Sequence, residues 1–576
     1  MTRFETDDSQ ARPGPAAIAT RFPLATLGLL CLLLWAPGML SLPPLDRDES
    51  RFAQASRQML ESGDFIDIRF GKEPRYKKPV GIYWLQAATT ELVGLGARDR
   101  MWTYRLASLM GGIASTWLAW WTARAIAPPQ VAFLGAALLA STLLLSAEAT
   151  IATTDAVLLA CILGTQGALL RLYVAARRGS AAPPRRILLA GWAALGLGVL
   201  VKGPVAPVVC AATAVALAAW DRDLRWLRGI RLMSGLVVVA LIVAPWAIAI
   251  GLASHGRFYT QSLGTDFAAK LAGGQETHGA PPGYYLVLAT LTFWPATLFV
   301  LPGLRDAIAR RADAALRFLL AWTVSAWLLF ELTPTKLPHY ILPAYPALAL
   351  MGALWAAKAG QFDPVGPAWR RATAIQFLIG AAALITAAVV LPARLGAGAD
   401  AALIAMALVS LLGALAAALL LARVRVIPAA AVAIAAAVLL YATLTMIAAP
   451  ELQQLWVSSR LAALAARNAD AGDAPAAVAG FEEPSLVFQL GTATRLTDGR
   501  GAADAVARTP GLALVEDSER GAFFARLAQL RALPVAVGNV SGLNYSRGRT
   551  VHVTIYRART PSSPPPSANQ ENNSQR

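Results

Sequence analysis

Apolar runs near the length a helix needs to cross a bilayer, roughly twenty residues, repeat along most of this chain and are separated by short polar breaks. They fall at 22–40, 105–127, 131–146, 155–176, 187–201, 204–220 and 232–253, then at 284–304, 318–332, 338–357, 372–391, 401–421 and 426–449. The pattern predicts an α-helical polytopic membrane protein with about 13 transmembrane helices. The first run reads as a retained span rather than a cleaved signal. Past Pro450 the pattern changes. Amphipathic stretches at 455–466 and 522–530 alternate with short β-type runs at 476–481, 485–490, 512–516 and 550–556, which predicts a soluble α/β domain. The chain therefore divides into a membrane-embedded part over 1–450, an α/β domain over 451–558 and a Pro/Ser/Asn-rich tail over 559–576 that reads as disordered.

One apolar piece, 80–96, is ambiguous, and loop charge decides it. If it lies along the interface, the loops on one side collect Arg124, Arg171, Arg177, Arg178, Arg185 and Arg186. The same side gathers Arg222, Arg225, Arg228 and Arg231, then Arg305, Arg310, Arg311 and Arg317. Counting the piece as a span would put these clusters outside, against the positive-inside rule. An interfacial helix bearing Tyr83 and Trp84 is the consistent reading. It places the N-terminus in the cytoplasm, and the 41–100 loop with everything past Pro450 on the outer side.

Composition agrees: 56% of residues are hydrophobic and 15% charged, beyond what a soluble core reaches. The formal charge of +17 does not point to nucleic acid, because the arginines sit in short clusters between apolar runs, where they orient spans. Cys31, Cys161 and Cys210 lie inside apolar segments, so neither a disulfide framework nor a Cys-based zinc site is supported.

Ionisable residues without a topological explanation concentrate in the outer segments. Asp48 and Glu49 follow the first span closely; pairing with Arg47 or Arg51 is the plain alternative to a functional role. Asp155 sits at the outer junction of two apolar runs, where an acid is costly and a functional candidate; a helix N-terminus after Thr153-Thr154 is its structural alternative. Lys78 opens the interfacial helix. Lys202 and Lys336 stand beside Pro204 and Pro338, where interrupted helices let a cation enter a cavity. Snorkelling explains one such lysine better than three. The outer loop 254–283 carries Arg257, Lys270, Glu276 and His278; the stretch 257–270 suits a flap. Glu276 with His278 gives too few ligands to define a metal site, so a divalent metal is left open and no cofactor is required.

Taken together, Asp48-Glu49-Ser50-Arg51-Phe52-Ala53, Lys78-Pro79 with Tyr83-Trp84, Thr154-Asp155, Lys202-Gly203-Pro204 and Lys336-Leu337-Pro338-His339-Tyr340 resemble the GT-C class of polyprenyl-phosphate-dependent glycosyltransferases. Within it the combination is similar to the aminoarabinose transferases of lipid A, relatives of the protein O-mannosyltransferases. The similarity runs from about residue 22 to 346, and Lys77 departs from some members. The resemblance implies catalytic roles for Asp48, Asp155 and Lys78. It implies substrate binding by Glu49, Tyr83, Lys202 and Arg257, and by His278, Lys336, Tyr340 and Tyr345. It further implies an undecaprenyl-phosphate aminosugar donor, a lipid A acceptor, contact with membrane lipids and not nucleic acid, and a bacterial inner-membrane location with the site and the α/β domain in the periplasm. A protein O-mannosyltransferase-like enzyme is the nearest alternative. A lipid or polysaccharide transporter is the alternative of another class, but it predicts inverted repeats and midplane ions, and no clear repeat is found.

Overall fold

The computed structural model describes residues 21–262, 264, 280–359, 365–396 and 398–559. The N-terminal twenty residues, the tail beyond 559 and the Lys270, Glu276 and His278 positions lie outside the described residues. The first part is helical: α1 (Pro23–Ser41), α2 (Asp48–Ser62), α3 (Gly81–Leu92), α4 (Met101–Ala123), α5 (Pro129–Ser141), α6 (Leu143–Thr150), α7 (Asp155–Arg178), α8 (Arg185–Lys202), α9 (Val205–Asp221) and α10 (Leu232–Ala253). A short hairpin, β1 (Arg69–Phe70) with β2 (Glu73–Pro74), sits between α2 and α3. The bundle continues with α11 (Tyr284–Thr292), α12 (Thr297–Ala309), α13 (Ala314–Glu331), α14 (Tyr345–Ala359), α15 (Gly366–Leu395), α16 (Ala401–Ala422) and α17 (Val426–Ala442).

Every expected apolar run is helical, but not every one has the length and composition of a simple span. Among the described residues eight helices are long and apolar enough to cross a membrane, or up to nine if α5 and α6, bent by 64°, count as one span. The runs at 105–127, 187–201, 204–220 and 284–304 miss that standard for local reasons. The first is diluted by its Trp, Ser, Thr and Gly residues, α8 begins with Arg185 and Arg186 and ends on Lys202, α9 is short, and the last splits into α11 and α12. Helix α3, at 12 residues, is about 18 Å long. It cannot cross a hydrocarbon core of about 30 Å, as loop charge required.

The C-terminal part starts with α18 (Val457–Asn468) and contains β3 (Ala474–Ala479), α19 (Pro484–Leu490), β4 (Arg495–Thr497), α20 (Gly499–Arg508), β5 (Gly511–Glu516), α21 (Asp517–Gln529), β6 (Leu533–Asn544) and β7 (Arg549–Arg559). Its five strands run in the order β4-β3-β5-β7-β6, with β3 parallel to β4 and β5, and the β6–β7 hairpin antiparallel beside them. Alternation along β5 feeds two cores. Leu512 and Leu514 pack with Val457 and Leu461 of α18, while Ala513 and Val515 pack with Val506 and Phe523 of α20 and α21. The 485–490 run, expected as a strand, is a helix. Short apolar runs fit both periods, and here Pro484 at the first helical position favours the helix.

This α/β unit is docked on the membrane part rather than tethered loosely. Phe488 is buried against Ala53, Met101, Tyr104 and Ala152, its ring edge-to-face with Tyr104 at 5.6 Å. Gln54 Nε2 donates to Thr492 Oγ1 (2.7 Å) and Arg57 to the Phe488 carbonyl (3.0 Å).

Candidate functional site

A cleft of about 350 Å³ opens at the end of the bundle that carries the α/β unit. Its walls come from five places in the chain. The first turn of α2 supplies Asp48, and helix dipoles favour carboxylates there. The approach to α3 supplies Lys77 and Lys78, the α6–α7 junction supplies Glu148 and Asp155, and Lys202, His339 and Tyr340 close the far side.

Backbone geometry explains why these segments meet. Gly203 (φ 63°, ψ −133°) takes a conformation that favours glycine and ends α8 immediately after Lys202. A Cβ on Gly81 would lie 2.8 Å from the Leu200 carbonyl, so only glycine lets the start of α3 approach the end of α8 this closely. That contact puts Lys78 and Lys202 on the same cleft.

At its floor, the Lys202 ammonium spans both oxygens of Asp155 at 2.7 and 2.9 Å, and Thr154 Oγ1 donates to Oδ2 at 2.9 Å. The Tyr340 ring faces Lys202 Nζ at 5.5 Å. Glu148 accepts from Thr153 Oγ1 (2.7 Å), and His339 Nδ1 lies 3.9 Å from its other oxygen. Asp48 is different: its side chain is 65% exposed at the mouth, with the Arg51 guanidinium 4.0 Å away. Three acids, two deep and one open, therefore face the same space as several cations.

The far end of α7 carries a different set of charges. Its 24 residues carry it about 36 Å from Asp155. There Asp221 gathers Arg177 (2.6 Å), Arg317 and Tyr173 (2.6 Å). The arginine-rich loops and the cleft thus occupy opposite ends.

Of the residues singled out in sequence, Asp48, Lys78, Asp155, Lys202 and Tyr340 line this cleft together. The others are placed differently. Glu49 borders the cleft but its carboxylate is consumed: it takes Arg105 Nε and Nη2 at 2.8 and 2.9 Å, the Ala152 N–H at 2.9 Å and the Leu45 N–H at 2.8 Å. These internal bonds tie the start of α2 to α4 and to the α6–α7 junction. Tyr83 is fully buried against Phe52. Tyr345 lies in the core, bonded to Thr292 at 2.5 Å and packed on Phe293. Lys336 is buried with its ammonium toward the Thr333 carbonyl (3.3 Å), and Arg257 donates to the Ser254 carbonyl (3.2 Å). None of these four lines the cleft. Glu148 and His339 do, and sequence reasoning gave neither a role. Glu148 could have been found as an acid at the junction of two apolar runs, the signal that singled out Asp155. Among the described residues no cluster of three or more His, Cys, Asp or Glu side chains could hold a metal ion.

A second and larger cleft, about 1,310 Å³, adjoins the first and shares Arg51, Arg75 and Lys77 with it. Its opposite wall is the α/β unit, including Thr492 and Arg495, and Lys72 stands at its rim. Burial, then the neighbouring Arg75 guanidinium, pulls the Arg51 pKa below its ordinary value. Such crowding of like charges is relieved when an anion binds.

Comparison with known proteins places this geometry in context. Residues 77–248 match the family model for dolichyl-phosphate-mannose-protein mannosyltransferases. An undecaprenyl phosphate-alpha-4-amino-4-deoxy-L-arabinose arabinosyl transferase of Pseudomonas paraeruginosa is 31% identical over 334 residues, 56% of this chain and 58% of that one. The matched stretch thus spans less than two thirds of the length of the curated relatives. The crystal structure of ArnT from Cupriavidus metallidurans bound to undecaprenyl phosphate aligns with a TM-score of 0.74 at 21% identity, covering 93% of this chain and 98% of that one. Its apo form aligns at 0.71 with 22% identity, covering 94% and 98%. The fold is the one those structures share: a polytopic GT-C helical bundle carrying a strand-containing C-terminal unit.

Proposed function

We propose that this protein is an integral-membrane glycosyltransferase that moves 4-amino-4-deoxy-L-arabinose from undecaprenyl phosphate to a phosphate of lipid A. The single observation that carries the reading is the Asp155–Lys202 pair facing Asp48 and Lys78 in one cleft of a GT-C bundle. The bundle sits in the bacterial inner membrane, with the arginine-rich loops cytoplasmic and the cleft and α/β unit periplasmic. Each transfer covers a lipid A phosphate with a cationic sugar, which lowers the negative charge of the outer surface and its attraction for cationic peptides such as polymyxin.

Both reacting groups are phosphates, so the chemistry is mainly electrostatic. In an inverting displacement, a phosphate oxygen of lipid A attacks the anomeric carbon as the bond to the prenyl phosphate breaks. The electron pair leaves with undecaprenyl phosphate. A phosphate acceptor is largely ionised at neutral pH (second pKa about 6), so general-base activation contributes little. The main barrier is bringing two anions together, which Lys78 and Lys202 lower as point charges. Asp155 fixes Lys202, and Asp48 at the mouth grips the sugar's ammonium or stabilises charge developing on its ring. The wide basic cleft shared with the α/β unit suits the acceptor's other anionic groups.

The test is purified protein in lipid vesicles with prenyl-phosphate aminoarabinose and lipid A, without an ion gradient. Aminoarabinosylated lipid A in the products supports the reading. Transfer to serine or threonine peptides instead would move the protein to the O-mannosyltransferase-like class, and substrate movement without product would make it a transporter. In the same assay, Lys72→Glu with Arg495→Glu is expected to raise KM for lipid A by about tenfold, the equivalent of about 1.4 kcal/mol. The donor KM should hold, because neither residue lines the inner cleft. An unchanged lipid A KM would remove the outer cleft from acceptor binding.

A further inference from the structure

The approach to Asp48 is held by the α/β unit. The Asp46 N–H donates to the Tyr545 hydroxyl at 2.7 Å. Its carboxylate accepts from Ser485 Oγ and, at 3.4 Å, from Ser458 Oγ, and these two hydroxyls lie 2.6 Å apart. The Arg47 guanidinium donates to the Ser546 carbonyl. Behind them Glu483 braces the β6–β7 end, accepting from Asn544 Nδ2 (2.8 Å) and Ser546 Oγ (2.9 Å). Three separate elements of the unit, α18, α19 and the β6–β7 turn, therefore converge on two residues.

Those two residues immediately precede Asp48. Arg47 sits at φ 62°, ψ −117°, a region that residues with a Cβ rarely adopt. Such a conformation persists only where the surroundings over-determine it. Its effect is to turn the chain sharply, so that α2 begins at Asp48 with its side chain at the cleft mouth. On the other side of Asp48, the Glu49–Arg105 pair pins the helix to the bundle. Asp48 is thus aimed by anchors on both sides and little by contacts of its own exposed side chain.

We infer that Asp46 is a positioning residue, through which the docked α/β unit sets the place of Asp48 in the cleft. The inference rests on the reading of Asp48 as part of the transferase site. It is separable from docking as such, because Phe488 on Tyr104, Gln54 on Thr492 and Arg57 on the Phe488 carbonyl hold the unit independently of Asp46. The charged and titratable groups around Asp46 are Arg47 and Glu49 on its own segment, and Glu483, Tyr545 and Arg547 on the unit. Burial, with Glu483 adding to it against the hydroxyl hydrogen bonds, pushes the Asp46 carboxyl up from 3.8 to about 6. A raised carboxyl pKa in the docked state means the hold is firmest below the ordinary value and weakens as pH rises through about 6. Asparagine copies the neutral form and keeps the oxygen acceptor.

The test uses the full-length protein in vesicles, with Asp46→Ala, Asp46→Asn and Ser485→Ala assayed for transfer, thermal midpoint and hydrogen exchange of residues 44–52. Asp46→Ala is expected to lower kcat by about 10- to 100-fold, the scale of a small misplacement, with both KM values and the thermal midpoint held and exchange at 44–52 accelerated. Asp46→Asn should rescue kcat at neutral pH, and the ratio of wild-type to Asp46→Asn kcat should fall as pH rises through about 6. Ser485→Ala, on the other side of the contact, should reproduce the exchange change if Asp46→Ala does not fold. Wild-type kcat in Asp46→Ala, unchanged exchange in both alanine variants, or equal kcat loss in the alanine and asparagine variants would each overturn the inference. Should the wild type transfer no sugar, the functional reading fails by itself, and the exchange measurement still decides whether the contact holds this segment.

Discussion

Turnover of an Asp155→Asn variant is expected to fall by about 10²–10³-fold, the cost of removing one group from a preorganised electrostatic site, while KM for the prenyl-phosphate donor falls rather than rises. The direction of the second change follows from the pair. In the wild type, both Asp155 oxygens lie within 3 Å of the Lys202 ammonium, which tempers its pull on a bound phosphate. Neutralising Asp155 leaves that ammonium in the cleft with the lipid phosphate as its natural partner. Donor and released undecaprenyl phosphate then both bind more tightly, and product release slows. Removing the charge on both sides, in Asp155→Asn with Lys202→Met, should restore the thermal midpoint lost by the single variant, since no uncompensated ion remains. It should not restore turnover. Single-turnover and steady-state rates with labelled donor separate chemistry from release. Wild-type kcat in Asp155→Asn would remove this carboxylate from the mechanism.

That pair was half legible in the sequence. Asp155 and Lys202 stand out because an ionised side chain at the edge of an apolar run is costly, and the cost demands a reason. What sequence withholds is the partner, since Lys202 is 47 positions away and α7 and α8 must pack before the two meet. The same limit explains Glu49. Beside Asp48 it reads as a second site acid, yet Arg105, 56 positions on, takes both of its oxygens. Tyr345 shows another failure. It shares a Pro-rich motif with Tyr340, but it begins α14 with its ring in the core while Tyr340 stays in the 3-10 turn at the cleft. The fold class was carried by the apolar runs, because the bilayer imposes their length. The number of spans was not, because bends such as that between α5 and α6 depend on neighbours. The contact between the α/β unit and Asp46 joins its N–H and carboxylate to three hydroxyls from distant segments, and no local pattern announces it.

Arg105→Ala is expected to cost at least about 3–5 kcal/mol of stability, the amount that breaking a buried ion pair from one side costs. Arg105 and Glu49 are each at most 2% exposed, so the stranded carboxylate would have no water to turn to. The loss should exceed what the ion pair alone predicts. Arg105 also donates to the carbonyls of Met39 (3.0 Å), Leu42 (2.7 Å) and Pro43 (3.0 Å), at and just past the end of α1. Each buried acceptor left unsatisfied adds about 1–3 kcal/mol. An apolar double replacement, Arg105→Met with Glu49→Leu, therefore should recover only part of the stability, unlike buried pairs whose partners serve only each other. Glu49→Gln should be milder than Arg105→Ala, because the amide oxygen can still accept from Ala152 or Leu45 and from Arg105. Denaturation midpoints of the purified variants in one detergent give the ordering Glu49→Gln, double variant, Arg105→Ala from mildest to most severe. A double variant as stable as the wild type would show that the three carbonyls find other donors, and that Arg105 matters only as the counterion of Glu49.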